Sequence, residues 1–384
     1  MRRKDFIKLG GILASAMPQL GGANANPPSN FYENVRQIDF LHDGLNLAPK
    51  EYSALLMKLA DEGKIKADYY SNTGVVEELE NKFAKLLGKQ SAVFMPTGTL
   101  ANHIAVRKLA DNNRKIIVQE QSHLYNDTGD CAQTLSGLNL IPLGKQKVEF
   151  NISEVEEIIA AAKKGRVETR VGVISIETPV RRQFDRMVSD DTLKSIVDYA
   201  KTNGIKTHID GARIFVQSVH TSITPAQYGA LTDTVYTSVW KCFNAASGAV
   251  LAGSTEFTAN LFHERRMFGG GLPAAWPFAA IALHFADTFT EEYKAAWLKA
   301  EKLFSYLQKE ERLKIIKFEN GSHIVRLTIK DTNLSKFKEA LMKNNIELSN
   351  PDEQGFLLKI NPSLNRTSPE NVAELFRQAL KTSG

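Results

Sequence analysis

From Val75 to Asp210 the chain alternates between two hydrophobic periods. Short apolar runs, Ser91–Met95, Ile116–Glu120, Leu140–Leu143, Val171–Glu177 and Ile205–Asp210, are separated by stretches whose apolar residues return every three or four positions. In the first such stretch Val75, Val76, Leu79, Phe83, Leu86 and Leu87 share one face, and Gly88 is placed as a stop. Strand and helix in alternation predict an α/β fold: a large domain with a mainly parallel sheet flanked by helices on both faces. Two further strands, Thr234–Val239 and Gly248–Gly253, extend it. A short strand is expected at Phe40–Gly44 and helices at Lys50–Gly63, Leu100–Leu109 and Asp190–Asn203. Another is expected after Ser153, with Glu156 completing a capping box. Helices at Thr258–Met267, Ala274–Phe285 and Phe289–Gln308 lead to a different pattern. There, strands at Leu313–Phe318, Ser322–Ile329, Ile346–Leu348 and Gly355–Ile360, with helices at Leu334–Asn344 and Pro369–Leu380, predict a small C-terminal α+β domain. The expected division is 1–25, 26–288 and 289–384.

The first 25 residues read as an export signal. Arg2-Arg3-Lys4 precede an apolar run from Leu9 to Met17, and Ala23-Asn24-Ala25 forms an A-x-A cleavage pattern. Arg2-Arg3 followed by Phe6-Ile7-Lys8 is similar to a twin-arginine signal, so a periplasmic or secreted location is expected. The net charge is +5 and this segment supplies +3 of it, which leaves a nearly neutral body and no argument for a nucleic-acid partner. No other run is long enough to cross a membrane. Two cysteines, Cys131 and Cys242, make neither a disulfide framework nor a metal quartet, and two buried thiols are expected.

In a parallel α/β sheet, ligands bind beyond the carboxyl ends of the strands. Five polar groups fall there. Thr97-Gly98-Thr99 opens a helix, where free N–H groups suit a phosphate, or where a plain cap would do. His123 follows the strand ending at Glu120 and could stack on a flat ring, act as a base, or be structural. Glu177 closes its strand. Asp210 ends an apolar strand and needs a cation, either Arg213 three residues on or a protonated ring nitrogen of a cofactor. Lys241 follows Thr237-Ser238-Val239-Trp240 and precedes a second buried strand. Burial there would lower its pKa and make it a nucleophile, although a strand-end lysine can also simply reach solvent. A phosphate cup, a buried carboxylate, an imidazole and a desolvated lysine together point to pyridoxal 5'-phosphate, with no metal.

At Phe94–Asn102, His208–Phe215 and Arg265–Gly271 the sequence resembles the threonine aldolase and β-eliminating lyase family, pyridoxal-phosphate enzymes of the aspartate-aminotransferase-like fold (fold type I). The resemblance runs from about Phe40 to the C-terminus. It implies that Lys241 carries the Schiff base, that Gly98, Thr99 and Ser238 hold the phosphate, that His123 stacks on the ring and that Asp210 bonds its nitrogen. It implies that Arg213 binds the substrate carboxylate with Lys359 beside it, and that Tyr69 or Tyr70 serves the site across a subunit boundary in a homodimer or homotetramer. Departures from the family pattern lie at His42-Asp43-Gly44, Glu177-Thr178-Pro179-Val180-Arg181, Trp240, Cys242-Phe243-Asn244 and Lys359. The implied activity is carbon–carbon cleavage of a β-hydroxy amino acid to glycine and an aldehyde, with His123 taking the hydroxyl proton. β-Elimination, transamination or racemisation on the same fold, and cofactor binding with little catalysis, stay open as alternatives.

Overall fold

The computed structural model describes residues 38–221 and 223–384. Its strands are β1 (Ile38–Asp39), β2 (Ser91–Met95), β3 (Lys115–Gln119), β4 (Asn139–Leu143), β5 (Val171–Glu177), β6 (Lys206–Asp210), β7 (Thr234–Ser238), β8 (Ala249–Gly253), β9 (Leu313–Lys317), β10 (Ile324–Ile329), β11 (Ile346–Glu347) and β12 (Phe356–Lys359). The central sheet has seven strands in the order β2-β8-β7-β6-β5-β3-β4. Only β8 runs against its neighbours, so the sheet is mainly parallel. β5 is buried at every position because helices cover both faces of the sheet.

The period-two alternation of the strands sorts side chains between the two layers. Phe94, Val235 and Val250 pack with Val75, Val76, Leu79 and Phe83 of the helix Gly74–Leu86. Their sequence neighbours Met95, Tyr236, Ala249 and Leu251 point the other way, toward Ala101, Ile104 and Ala105 of the helix Gly98–Ala110. This second helix begins where Thr97 accepts the Leu100 N–H at 3.2 Å.

The C-terminal part is a small antiparallel sheet, β12-β10-β9, covered by the helices Leu334–Met342 and Pro369–Ser383. β1 pairs in parallel with β11, so Ile38 and Phe40 belong to this second core. The helix Phe289–Leu307 serves both cores. Phe289 and Tyr293 lie in the first, and Ala296, Ala300, Leu303 and Phe304 in the second.

Local departures from the sequence reading have local causes. The strand expected at Phe40–Gly44 is a bend, because Asp39 Oδ1 accepts the N–H groups of Leu41 and His42 at 2.6 and 3.2 Å and turns the chain. The helix expected to be capped by Ser153 is Ile152–Lys163, and its cap is Asn151 in a capping box with Glu154. The helix expected over Thr258–Met267 is two short ones, broken where Asn260 takes a left-handed φ of 64°. The helices Cys131–Ser136 and Pro225–Leu231 are too short to carry a periodic signal. Both cysteines are free and buried. Among the described residues no helix is long and apolar enough to cross a membrane.

Candidate active site

The carboxyl ends of β2, β3, β5, β6 and β7 lie on one edge of the sheet, and the groups that follow them meet there. Gly98, Thr99, His123, Asp210, Ser238 and Lys241 all line one cavity of about 320 Å³. A second cavity, of about 570 Å³, contains Asp43, Tyr52, Arg213 and Lys359. The two share Arg181, Trp240, Lys241 and Ala246, so Lys241 stands where they join. Tyr70 lines neither. Its carbonyl is held by Arg265 at 3.3 Å, and its ring lies under the Arg266 guanidinium, 4.6 Å from it.

Each position follows from local chemistry. Gly98 is required by close approach: a Cβ there would lie 2.0 Å from the Tyr236 hydroxyl. Its N–H and that of Thr99 open the helix Gly98–Ala110 and have no intrahelical acceptor, which leaves two donors and the positive end of the helix at the cavity wall. Ser238 Oγ accepts the Lys241 N–H at 3.2 Å, tying the lysine to the end of β7. Gly44 does the same from the other side. A Cβ there would sit 2.4 Å from Asn244 Oδ1 and 2.7 Å from the Lys241 carbonyl, so only glycine lets the Asp43 segment pack on this loop. Burial, and then the Arg213 guanidinium, lower the Lys241 pKa from its ordinary value.

Asp210 is buried. Its Oδ2 accepts from Asn102 Nδ2 at 2.6 Å and its Oδ1 from the Ala212 N–H at 3.3 Å. Asn102 in turn accepts from His208 Nε2 at 2.9 Å, and His208 Nδ1 bonds Thr234 at 2.8 Å. Burial holds the His208 pKa down to about 4, so its ring is neutral and the relay is a chain of hydrogen bonds. No cation of this chain pairs with Asp210 among the described residues. Arg213, the cation nearest in sequence, turns instead to Asp43 at 3.0 Å and Asp185 at 3.2 Å. A buried carboxylate that faces a cavity and lacks a positive partner fits a protonated ring nitrogen, and the helix-end donors of Gly98 and Thr99 fit a phosphate.

His123 opens a short helix capped by Ser122. Its own N–H is held by Glu177 Oε2. Burial lowers the imidazole pKa, keeping the ring neutral and able to accept a proton. Burial and the neighbouring Asp210 raise the Glu177 carboxyl to about 8, against the opposing effect of the His123 and Arg181 N–H groups that its oxygens accept. Tyr236, Asn102, Glu177 and Arg181 carry no role in the sequence reading. Two of them left a signal: Glu177 closes a strand at this edge, and Asn102 is a polar residue in the first turns of the helix that follows β2.

The family model described as beta-eliminating lyase matches residues 59–329. The chain belongs to this family. Low-specificity L-threonine aldolase 1 of Arabidopsis thaliana is 25% identical over 319 residues, covering 79% of this chain and 86% of that protein. Among solved structures, a protein of Exiguobacterium sp. 255-15, itself only provisionally assigned as an aromatic amino acid beta-eliminating lyase or threonine aldolase, superposes with a TM-score of 0.74. It is 21% identical, over 90% of this chain and 98% of that one. Serine palmitoyltransferase from S. paucimobilis, solved with a bound PLP–myriocin adduct, superposes with a TM-score of 0.62 at 15% identity, over 89% and 86% of the two chains. These likenesses establish fold type I, and with the family they establish pyridoxal phosphate as the cofactor of this β-eliminating lyase family member. They correct the expectation of export. The matching threonine aldolases of plants, yeasts and Escherichia coli are mostly cytosolic enzymes, so a periplasmic or secreted location is not supported. Residues 1–25, which carried that expectation, lie outside the described residues.

Proposed function

We propose that this pyridoxal-phosphate protein is a lyase that cleaves the Cα–Cβ bond of a β-hydroxy amino acid, giving glycine and an aldehyde. The observation that carries the reading is the meeting of two cavities at Lys241: one lined by Gly98, Thr99, His123 and Asp210, the other open for a substrate. When bound, the cofactor supplies an electron sink for the pair released from a broken Cα bond. Gly98 and Thr99 would hold its phosphate with their N–H groups, and Ser238 lies on the same wall. The Asp210 carboxylate, fixed by Asn102, would keep the proton on the ring nitrogen. His123, neutral and facing the cavity, would take the proton of the substrate hydroxyl, directly or through one water.

The similarity to threonine aldolases supports cleavage between carbons. The lowered pKa of Lys241 favours a second reading, β-elimination, because a lysine that loses its proton readily can remove one from Cα. A panel of amino acids given to the cofactor-loaded protein separates the two. Aldehyde release from threonine or phenylserine is the expected result. Pyruvate and ammonia from serine or cysteine, with no aldehyde from either hydroxy amino acid, would replace the first reading by the second.

A further inference from the structure

Behind Asp210 lie three polar side chains in a layer otherwise filled by residues such as Met95, Ala101, Ile104 and Leu251. Asn102, His208 and Thr234 are 1%, 0% and 0% exposed. Burying them is costly unless each is bonded, and each is. Their placement follows from register. His208 and Asp210 are two apart on β6 and share a face, and Thr234 of β7 is the Cα partner of His208. Asn102 stands one turn after Gly98 on the helix Gly98–Ala110, so one element carries both the helix-end donors and the contact to Asp210.

Chemistry sets the direction of every bond in the chain. A carboxylate only accepts, so Asn102 presents Nδ2 to Asp210 Oδ2, 2.6 Å away, and turns Oδ1 to His208. That oxygen accepts from His208 Nε2 at 2.9 Å. A neutral ring protonated on Nε2 has an acceptor at Nδ1, which the Thr234 hydroxyl fills at 2.8 Å. The donors thus run one way, from Thr234 to Asp210. The Ala212 N–H takes the other oxygen at 3.3 Å. Glu177, His123, Tyr236 and Lys241 stand around the Asp210 carboxylate without bonding it, among the described residues.

We propose that Thr234 and His208 act on the cofactor through Asn102: they lock the Asn102 amide with Nδ2 toward Asp210, and so keep Asp210 an acceptor for the proton on the ring nitrogen. The inference rests on the placement of Asp210 at that nitrogen under the reading above. The three are positioning residues, since none of them lines either cavity. Without the His208 donor the amide is free to turn. Its Oδ1 then meets Asp210 oxygen to oxygen, an arrangement relieved when the proton leaves the ring nitrogen for the carboxyl.

The test loads the protein with pyridoxal phosphate isotopically labelled at the ring nitrogen and reads the NMR shift of that nitrogen, which separates its protonated from its bare form. Asp210→Asn calibrates the bare form, and circular dichroism checks that each variant is folded. Wild type should show the protonated form, and so should His208→Gln, whose side-chain N–H can replace that of Nε2. His208→Leu and Asn102→Leu should move to the bare form and bind the cofactor about 10- to 100-fold more weakly, the range for a bond to a charged group. Thr234→Val, which removes one hydroxyl, should fall between, and it decides the matter where the leucine variants do not fold. A nitrogen that stays protonated in the leucine variants and in Thr234→Val, with stability alone reduced, would overturn the relay. So would His208→Gln behaving as His208→Leu does. A protonated nitrogen in Asp210→Asn would instead overturn the placement of Asp210, and this inference with it.

Discussion

At the scale of single residues, the stretch around Lys241 and the cluster around Arg213 teach different lessons. Lys241, Asp210, His123 and Gly98 are legible from sequence because each stands at or just past the end of a strand, and a parallel sheet brings strand ends to one edge whatever the loops do. Arg213 is not. The sequence offers Asp210, three residues away, as its partner. The fold supplies Asp43 and Asp185 instead, the first from the segment after β1 and the second from the loop after β5, and no local pattern announces either. The consequence is measurable. Removing Arg213 leaves two buried carboxylates without their cation, which typically costs about 3–5 kcal/mol. Arg213→Ala should therefore lower the unfolding free energy by that amount in urea, with Lys359 and His323 offsetting part of it at Asp43. A loss below about 1 kcal/mol would contradict the burial of these ion pairs.

Elements carry the next level. The helix Gly74–Leu86 reads clearly from its apolar stripe, and the stripe explains its contact with the sheet. What the stripe hides is Glu80, whose carboxylate accepts the Phe94 N–H at 2.8 Å beneath β2. Burial raises its pKa from 4.5 to about 7 against the smaller opposing effects of that hydrogen bond and Arg265. A carboxyl whose folded value exceeds its unfolded value binds more protons when folded. Its cost to stability is absent below about pH 4.5, grows between the two values and stands in full above about pH 7. Glu80→Gln should thus be more stable than wild type at pH 8 by a few kcal/mol (about 1.4 per unit of difference), with the gap closing as pH falls to 4.5. Paired denaturation curves at pH 5 and 8 check the sign. A gap that widens on acidification would contradict it. The short helices, and the cap at Asn151 rather than Ser153, were not legible because one turn of helix has no period and two polar residues two positions apart make equally good caps on paper.

For the whole molecule, the order of strands decides where chemistry can happen. Six parallel strands deliver their ends to one edge, β8 returns along β7, and the turn between them carries Lys241. The small domain closes over the same edge through Asp43, His323 and Lys359, so its packing and the charge state of the site are linked. The fold class and the cofactor follow from the alternation and from residues at strand ends. The substrate side does not, because it is built from ion pairs between distant segments. The central claim is that Lys241 anchors pyridoxal phosphate, and the most direct measurement is to incubate the protein with the cofactor, reduce it with borohydride and map the labelled peptide. The account predicts a visible absorbance band before reduction, a single cofactor adduct on the peptide containing Trp240-Lys241-Cys242, and neither in Lys241→Ala. A colourless wild type, or an adduct on a different lysine, would contradict it.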